Sequence, residues 1–363
     1  MKQMICVMVC VFLMTFPCFA SEDSLTEVAE MDEISDSVPK DTGDIEYSED
    51  ISFTEGLSKI YEKIKEEVGD IFTGGLRCVM LIVAVSFLTS SVGAITLTGE
   101  SGAAKTTASL VGAIAVTAVA SGSIKSVIGM GEKLIESVSV FSKALLPTLA
   151  AVEAASGMPG SAMAKVTAAA LFSDILITMI DKILMPLVYV NIFAATANAA
   201  SENAALKRLS DLSVKVISAT LKIILGAFVS YITVTGIVAA SADRAGVKTA
   251  KFAISGAVPV VGGIISDATA TVISGTAVLK NSVGVFGMLV IISSSVTPVI
   301  TLAINYSLFR FASVCASPVI GTGISDLSER LASSFGLVLA MVASCITVLL
   351  LTIVMIMQST GVT

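Results

Sequence analysis

LASSFGLVLAMVASCITVLLLTIVMIMQSTGVT, residues 331–363, contains no Asp, Glu, Lys or Arg. The run is longer than the roughly 20 residues that an α-helix needs to cross a bilayer. In lipid the backbone must satisfy its own hydrogen bonds, so a continuous apolar run of this kind predicts a helix, whereas a membrane barrel needs short alternating strands. Five other uncharged runs have comparable lengths: 78–99, 106–124, 183–201, 223–242 and 281–309.

Two further regions, 140–164 and 252–279, are apolar but are interrupted by Pro and Gly. Irregular backbone at membrane depth is tolerated only where protein or a water-filled cavity surrounds it. We therefore expect broken or re-entrant helices in these regions, with ordinary kinks and a paired inverted repeat as the alternatives. The sequence predicts an all-α, polytopic membrane bundle with six to eight transmembrane helices.

The composition supports a membrane protein and argues against common catalytic chemistry. The chain is 55% hydrophobic and 14% charged, with a mean hydropathy of +0.92, whereas soluble domains carry about 25% charged residues. It contains no His, which is the residue used most often as a general base and is a common metal ligand. The stretch from Gly99 to Thr106 resembles a phosphate loop, but Ala104 stands where that motif needs Gly before the Lys. We expect no enzyme activity, no metal and no cofactor.

The N-terminal part predicts export. Lys2, an apolar stretch at 4–16 and Ala20 form the pattern of a signal peptide over residues 1–20, with an uncleaved anchor as the alternative. Residues 21–50 are rich in acids and predict a disordered exported segment. Residues 51–75 have apolar residues at helical spacing and predict an amphipathic helix, which lies on the membrane or a partner, or packs as a lead-in to the first span. Residues 76–363 form the polytopic domain.

Basic residues leave the membrane topology open. Residues 202–222 and 244–251 are both basic, and basic segments prefer the cytoplasm. The uncharged run 223–242 between them is nevertheless long enough to cross. An apolar stripe predicts an interfacial helix at 202–222, and its members are Leu206, Leu209, Leu212, Val216 and Ile217.

Ionisable residues beside apolar runs are candidates for a pathway or for helix pairing, because they are costly in lipid. Asp174 and Asp181 are seven residues apart and should share a helical face, whereas Lys182, Lys222 and Arg310 are long enough to snorkel. Small residues are abundant, which favours close helix packing or a homo-oligomer. The candidate pathway or helix-packing positions are Pro147, Gly157, Asp174, Asp181, Gly256, Pro259, Gly262, Gly263 and Asp267.

One motif suggests a family. The run from Phe252 to Ala268, FAISGAVPVVGGIISDA, resembles a motif of the stage III sporulation protein AE family, as do the regions beginning at Leu146 and at Leu279. The order of a signal peptide, an acidic segment and a polytopic body is similar too. The resemblance covers roughly residues 51–363.

The resemblance implies a non-enzymatic membrane subunit of a transenvelope complex in sporulating bacteria. It implies the mother-cell membrane around the forespore as the location, and a cytoplasmic ATPase, ring-forming subunits and a forespore partner protein as neighbours. The complex would act as a channel or feeding apparatus after engulfment. From the residues alone, an autonomous solute transporter or channel remains the alternative, and an intramembrane enzyme is a third reading.

Overall fold

A computed structural model describes residues 53–96, 102–155, 159–201, 203–234, 282–316 and 322–360. Within these ranges every regular element is a helix, and none is a strand. The signal peptide at 1–20, the acidic segment at 21–50 and the interrupted region at 252–279 lie outside the described residues, so these three remain predictions.

Seven α-helices make up the described part of the chain. A π-helical turn at Ile180–Leu184 joins the third helix to the fourth, so these two form one continuous rod. Counted in this way, the described residues contain six helical segments long and apolar enough to cross a membrane. The predicted all-α bundle of six to eight spans is confirmed. The helices are α1 Phe53–Thr96, α2 Gly102–Ala155, α3 Pro159–Met179, α4 Met185–Ser201, α5 Ala204–Val234, α6 Ser282–Ala316 and α7 Thr322–Thr360.

Helices α6 and α7 form the centre of the bundle. The most apolar windows of these two helices are 83% and 94% buried, against 28–39% for the other four segments. Phe309 of α6 and Phe335 of α7 are fully buried and meet edge to face, with ring centroids 5.0 Å apart. The longest uncharged run of the sequence is therefore covered mainly by protein, and the outer helices present most of the apolar surface available to lipid.

Buried hydroxyl groups in the central pair are satisfied locally. Ser344 donates to the carbonyl of Ala340 at 2.6 Å, and Thr352 donates to that of Val348 at 2.8 Å. This bond to the carbonyl four residues earlier is how Ser and Thr are accommodated inside a helix. Ser313 and Ser325 exchange hydroxyl-to-carbonyl bonds of 3.1 Å in both directions and join α6 to α7 where the two helices approach their connection.

Contacts at four glycines show the direction of the helices. Gly56 lies against Leu289 and Gly75 against Leu308, so α1 runs parallel to α6. Gly112 lies against Thr89 of α1 and Ile324 of α7, and Gly131 lies against Val338 of α7. Helix α2 is therefore antiparallel to α1 and parallel to α7, in the alternating order expected of spans joined in sequence.

Helix α1 continues through Gly74 and Gly75 without a break. Ile60 and Ile64 in its first half are buried in the core, and Glu67 accepts a 2.7 Å hydrogen bond from Thr297 of α6. The amphipathic stretch has the arrangement of a packed lead-in to the span. A domain boundary at residue 75 remains a prediction, and it falls inside a helix.

Helix α2 is also longer than the sequence runs suggest. It contains 54 residues and passes through Pro147 before it ends at Ala155. At about 1.5 Å per residue it is about 80 Å long, well over twice the ~30 Å hydrocarbon core of a bilayer. The first part of the interrupted region 140–164 is thus helical, and α3 begins at Pro159, where the fixed φ of Pro suits the first helical position.

The interfacial helix predicted at 202–222 is part of α5, which continues into the next apolar run. Of the predicted stripe, Leu209, Leu212 and Val216 are exposed and Ile217 is buried, so the interfacial position of this stretch remains a prediction. The buried face of α5 is rotated from it and consists of Ser210, Ser213, Ile217, Leu221, Leu225 and Phe228. Contacts with α4 and α7 decide which face is inside, and two of the buried residues are serines that an apolar pattern does not include.

The parallel packing of α1 and α6 predicts a cross-link. With Glu67→Cys and Thr297→Cys together, we expect cross-linking by a short bis-maleimide, because Glu67 Oε2 and Thr297 Oγ1 are 2.7 Å apart in the native chain. Lys59→Cys with Thr297→Cys is the control and should not be cross-linked, since residue 59 lies two helical turns away. Peptide mass spectrometry identifies the bond; cross-linking of the control pair alone would contradict the register.

Candidate functional site

Only three of the nine candidate residues chosen from the sequence lie within the described residues. Pro147 on α2, Asp174 on α3 and Asp181 in the π-helical turn are all exposed. Among the described residues, no hydrogen bond or ion pair joins these three. The other six candidates lie outside the described residues: Gly157, Gly256, Pro259, Gly262, Gly263 and Asp267. All nine positions remain predictions.

The structure instead brings polar side chains together between α4, α5 and α7. Asn191 of α4 is fully buried; its side-chain amide donates to Ser334 Oγ of α7 at 2.9 Å, and its Oδ1 accepts from Ser210 Oγ of α5 at 2.6 Å. Ser210 and Ser334 are buried as well. One asparagine thus links three helices, and both partners are shielded from water.

Arg330 of α7 extends this network toward the surface. Its guanidinium donates to Ser210 Oγ and, at 3.0 Å, to Asp211 Oδ1. The Arg330 side chain is 14% exposed, whereas that of Asp211 is 48% exposed. We call Asn191, Ser210, Asp211, Arg330 and Ser334 the Asn191 cluster. It forms a continuous polar path from the buried crossing point of three helices to the surface.

A cavity of about 450 Å³ adjoins the cluster. This volume lies within the ~300–1,000 Å³ range of small-molecule sites. Helices α4, α5 and α7 all contribute to its wall, and most of its side chains are polar or charged. The lining residues are Asn191, Lys207, Asp211, Val214, Lys215, Asp326, Glu329, Arg330 and Ser333.

Ion pairs organise the charges of this cavity. Arg330 pairs with Asp211 at 3.0 Å and Lys207 with Asp326 at 3.8 Å. Glu329 pairs with Arg310 of α6 at 3.5 Å, so α6 is tied to the same region. The last two pairs are largely exposed and should contribute little to stability, about 0–1 kcal/mol each. Their main effect is to fix where positive and negative groups stand around the cavity.

The sequence reading missed this site because it searched apolar runs for charges alone. Asn191 lies in the uncharged run 183–201, where a neutral amide does not interrupt the run. The available signal was a polar amide at Asn191 and another at Asn198, seven residues apart on one helical face. Within the described ranges, no group of three or more His, Cys, Asp or Glu side chains could hold a metal ion.

Comparison with known proteins identifies the family. The sequence model described as Stage III sporulation protein AE matches residues 42–360. Stage III sporulation protein AE of Bacillus subtilis (strain 168) is 29% identical over 201 residues, which are 53% of this chain and 49% of that protein. The chain therefore spans about half the length of the curated relative it matches, and no solved structure matches it. Since the family match covers most of the chain, this protein belongs to the stage III sporulation protein AE family.

Proposed function

We propose that this chain is a non-enzymatic integral membrane subunit, a platform or permease-like channel component, of a transenvelope complex that links mother cell and forespore. Membership of a stage III sporulation family, over residues 42–360, carries the proposal. Six helical segments with the length and composition of membrane spans support it. In this role the chain is needed for forespore development after engulfment.

The proposal includes a location and partners. The chain lies in the mother-cell membrane that surrounds the forespore, beside a cytoplasmic ATPase, ring-forming subunits and a forespore partner protein of the same complex. Residues 1–20 direct export, and the acidic segment 21–50 meets the ring subunits between the two membranes. The excess of acids in this segment over the body of the chain motivates that contact.

Co-purification from sporulating cells tests the proposal. The full chain with a C-terminal tag, solubilised after engulfment, should retain the ATPase and ring-forming subunits in constant proportion. A second strain lacking residues 21–50 should lose ring subunits selectively while the chain remains in the membrane. Recovery of the tagged full chain without these proteins at several detergent strengths would contradict the proposed assembly.

The alternative is an autonomous solute transporter or channel, and the cavity beside the Asn191 cluster favours it. A mixed-charge cavity of about 450 Å³ between helices has the size of a small-solute site. Purified chain reconstituted alone in liposomes separates the two functions. Solute uptake by the chain alone would favour the transporter, and uptake only with the other subunits present would favour the complex.

Asp174 provides a test on a single residue. It is exposed on α3 and has no ion-pair partner among the described residues, so Asp174→Asn should leave the free energy of unfolding within about 0.5 kcal/mol of the original. An exposed carboxylate on a segment of this kind matters for function only if another chain or a wet pathway uses it. We therefore expect fewer mature spores with Asp174→Asn, scored by heat-resistant colony counts. Unchanged counts would remove Asp174 from the candidate positions.

A further inference from the structure

Two carboxylates follow one another along the outer face of α3 and the π-helical turn after it. Asp174 and Asp181 are seven residues apart, about two helical turns, and both are exposed. They lie within Ala169–Ser201, which is long and apolar enough to cross a membrane, and an ionisable residue on such a segment usually faces a partner or a wet cavity. Among the described residues neither has an ion-pair partner. Lys182 is next to Asp181 in the sequence but points to the side, because neighbouring residues of a helix do not share a face. We call Asp174 and Asp181 the acidic line.

Helix α5 carries two lysines with the same spacing. Lys215 and Lys222 are also seven residues apart and exposed, and within the described ranges neither forms an ion pair. They lie within Ala204–Tyr231, another segment that could cross a membrane. We call this pair the basic line. The two lines thus have opposite charge and equal length.

Two contacts fix the relative height of the lines. Asn191 of α4 accepts a 2.6 Å hydrogen bond from Ser210 of α5. Phe172 of α3 packs edge to face on Phe228 of α5, with ring centroids 5.4 Å apart. The rod of α3 and α4 therefore runs antiparallel to α5, and counting along both helices from these contacts places Lys222 between the two carboxylates in height, within about one helical turn of each. The lines do not pair within one chain, because each occupies the outward face of its helix.

We propose that two copies of this chain associate through the outer faces of α3 and α5, with the acidic line of each copy against the basic line of the other. Such a contact is self-complementary, as a two-fold symmetric dimer requires. Both copies have the same orientation in the membrane, so the two-fold axis is parallel to the helices and groups of equal height meet. The same contact covers apolar side chains that are exposed beside the charges, namely Leu171, Ile175 and Ile223.

The position of the two helices favours a dimer over a ring. A ring needs two different contact faces on separate sides of each copy, whereas a two-fold dimer uses one face twice. Helices α3 and α5 touch through Phe172 and Phe228, so both lines lie on one side of the bundle.

Charge reversal on differently tagged full chains tests this dimer. One variant carries Asp174→Lys with Asp181→Lys, and the other carries Lys215→Asp with Lys222→Asp. Each is co-expressed with a second-tag copy of itself, or with the other variant, and purified through one tag in mild detergent. Each variant should retain about tenfold less of its own kind than the original chain does, since like charges then meet. The two variants together should recover each other at the original level, because opposite charges face each other again.

Glu66→Lys with Asp70→Lys is the matched control. These acids are exposed on α1, which packs against α2 and α6, so self-association should stay unchanged. Native mass spectrometry of the original chain should give the mass of two chains; a single-chain mass or a higher oligomer would overturn the dimer. Variants that bind their own kind as strongly as the original does, or that keep the original circular dichroism but fail to recover each other, would overturn the proposed faces.

Discussion

Replacing Asn191 by leucine should lower the free energy of unfolding by about 2 kcal/mol, because buried hydrogen bonds are lost without much change in volume. Asn191 holds Ser210 and Ser334 at 2.6 and 2.9 Å, and all three side chains are buried. Leucine can neither accept from Ser210 nor donate to Ser334. The Ser210 hydroxyl also loses its acceptor, so α4, α5 and α7 should separate more easily.

Unfolding by sodium dodecyl sulfate in mixed micelles, followed by circular dichroism, measures this change. Asn198→Leu is the matched control, since Asn198 is a buried amide seven residues further along α4 and outside the Asn191 cluster. Its free energy of unfolding should change by less than about 1 kcal/mol. If both variants were equally destabilised, the effect would come from adding leucine to α4, and the network would not be the cause.

The second large effect is expected at Gly131, where α2 approaches α7 closely. A Cβ at this position would lie 2.5 Å from Val338 Cγ1, and Val338 is completely buried. Valine is β-branched and stiff, so it cannot rotate away without moving its neighbours. Overpacking costs about 1–3 kcal/mol, against a gain of about 1 kcal/mol from replacing a helical glycine by alanine. We expect Gly131→Ala to lower the free energy of unfolding by up to about 2 kcal/mol.

Gly122→Ala provides a control on the same helix. No atom lies within 4 Å of a Cβ built there, and Gly122 is exposed. Only the helix-propensity gain of about 1 kcal/mol then remains, so this variant should be more stable than the original chain. The same unfolding measurement compares the two variants. A Gly131→Ala protein as stable as Gly122→Ala would show that α2 and α7 are not packed as closely as described.

The sequence was sufficient for the class of fold, since lipid imposes one strong rule on the backbone. Each of the six uncharged runs overlaps a different one of the six long apolar segments found among the described residues. The ends of the helices were harder to predict from the sequence. Charged residues such as Glu66 and Lys133 do not end α1 or α2, because an exposed side chain of a long helix can reach water beyond or beside the membrane.

The polar site was less predictable than the spans, because it depends on which helices meet. The basic stretch around Lys207 and Lys215 was read for its topology, whereas in the bundle it forms one wall of a cavity with acids from α7. Asp326 and Lys207 are far apart in the sequence and pair only because α5 runs parallel to α7. The face of α5 that packs inside the bundle could not be found from apolar spacing for the same reason, since the buried Ser210 is defined by its partner Asn191.

A clean deletion in the host bacterium, scored by microscopy of sporulating cells, tests the assignment to a sporulation complex most directly. The proposed function predicts normal growth and normal engulfment, followed by arrest with small or collapsing forespores and rescue by the intact coding sequence supplied elsewhere. Normal spores together with a growth or uptake defect would contradict it, and the autonomous transporter would then be the better account of these six helices.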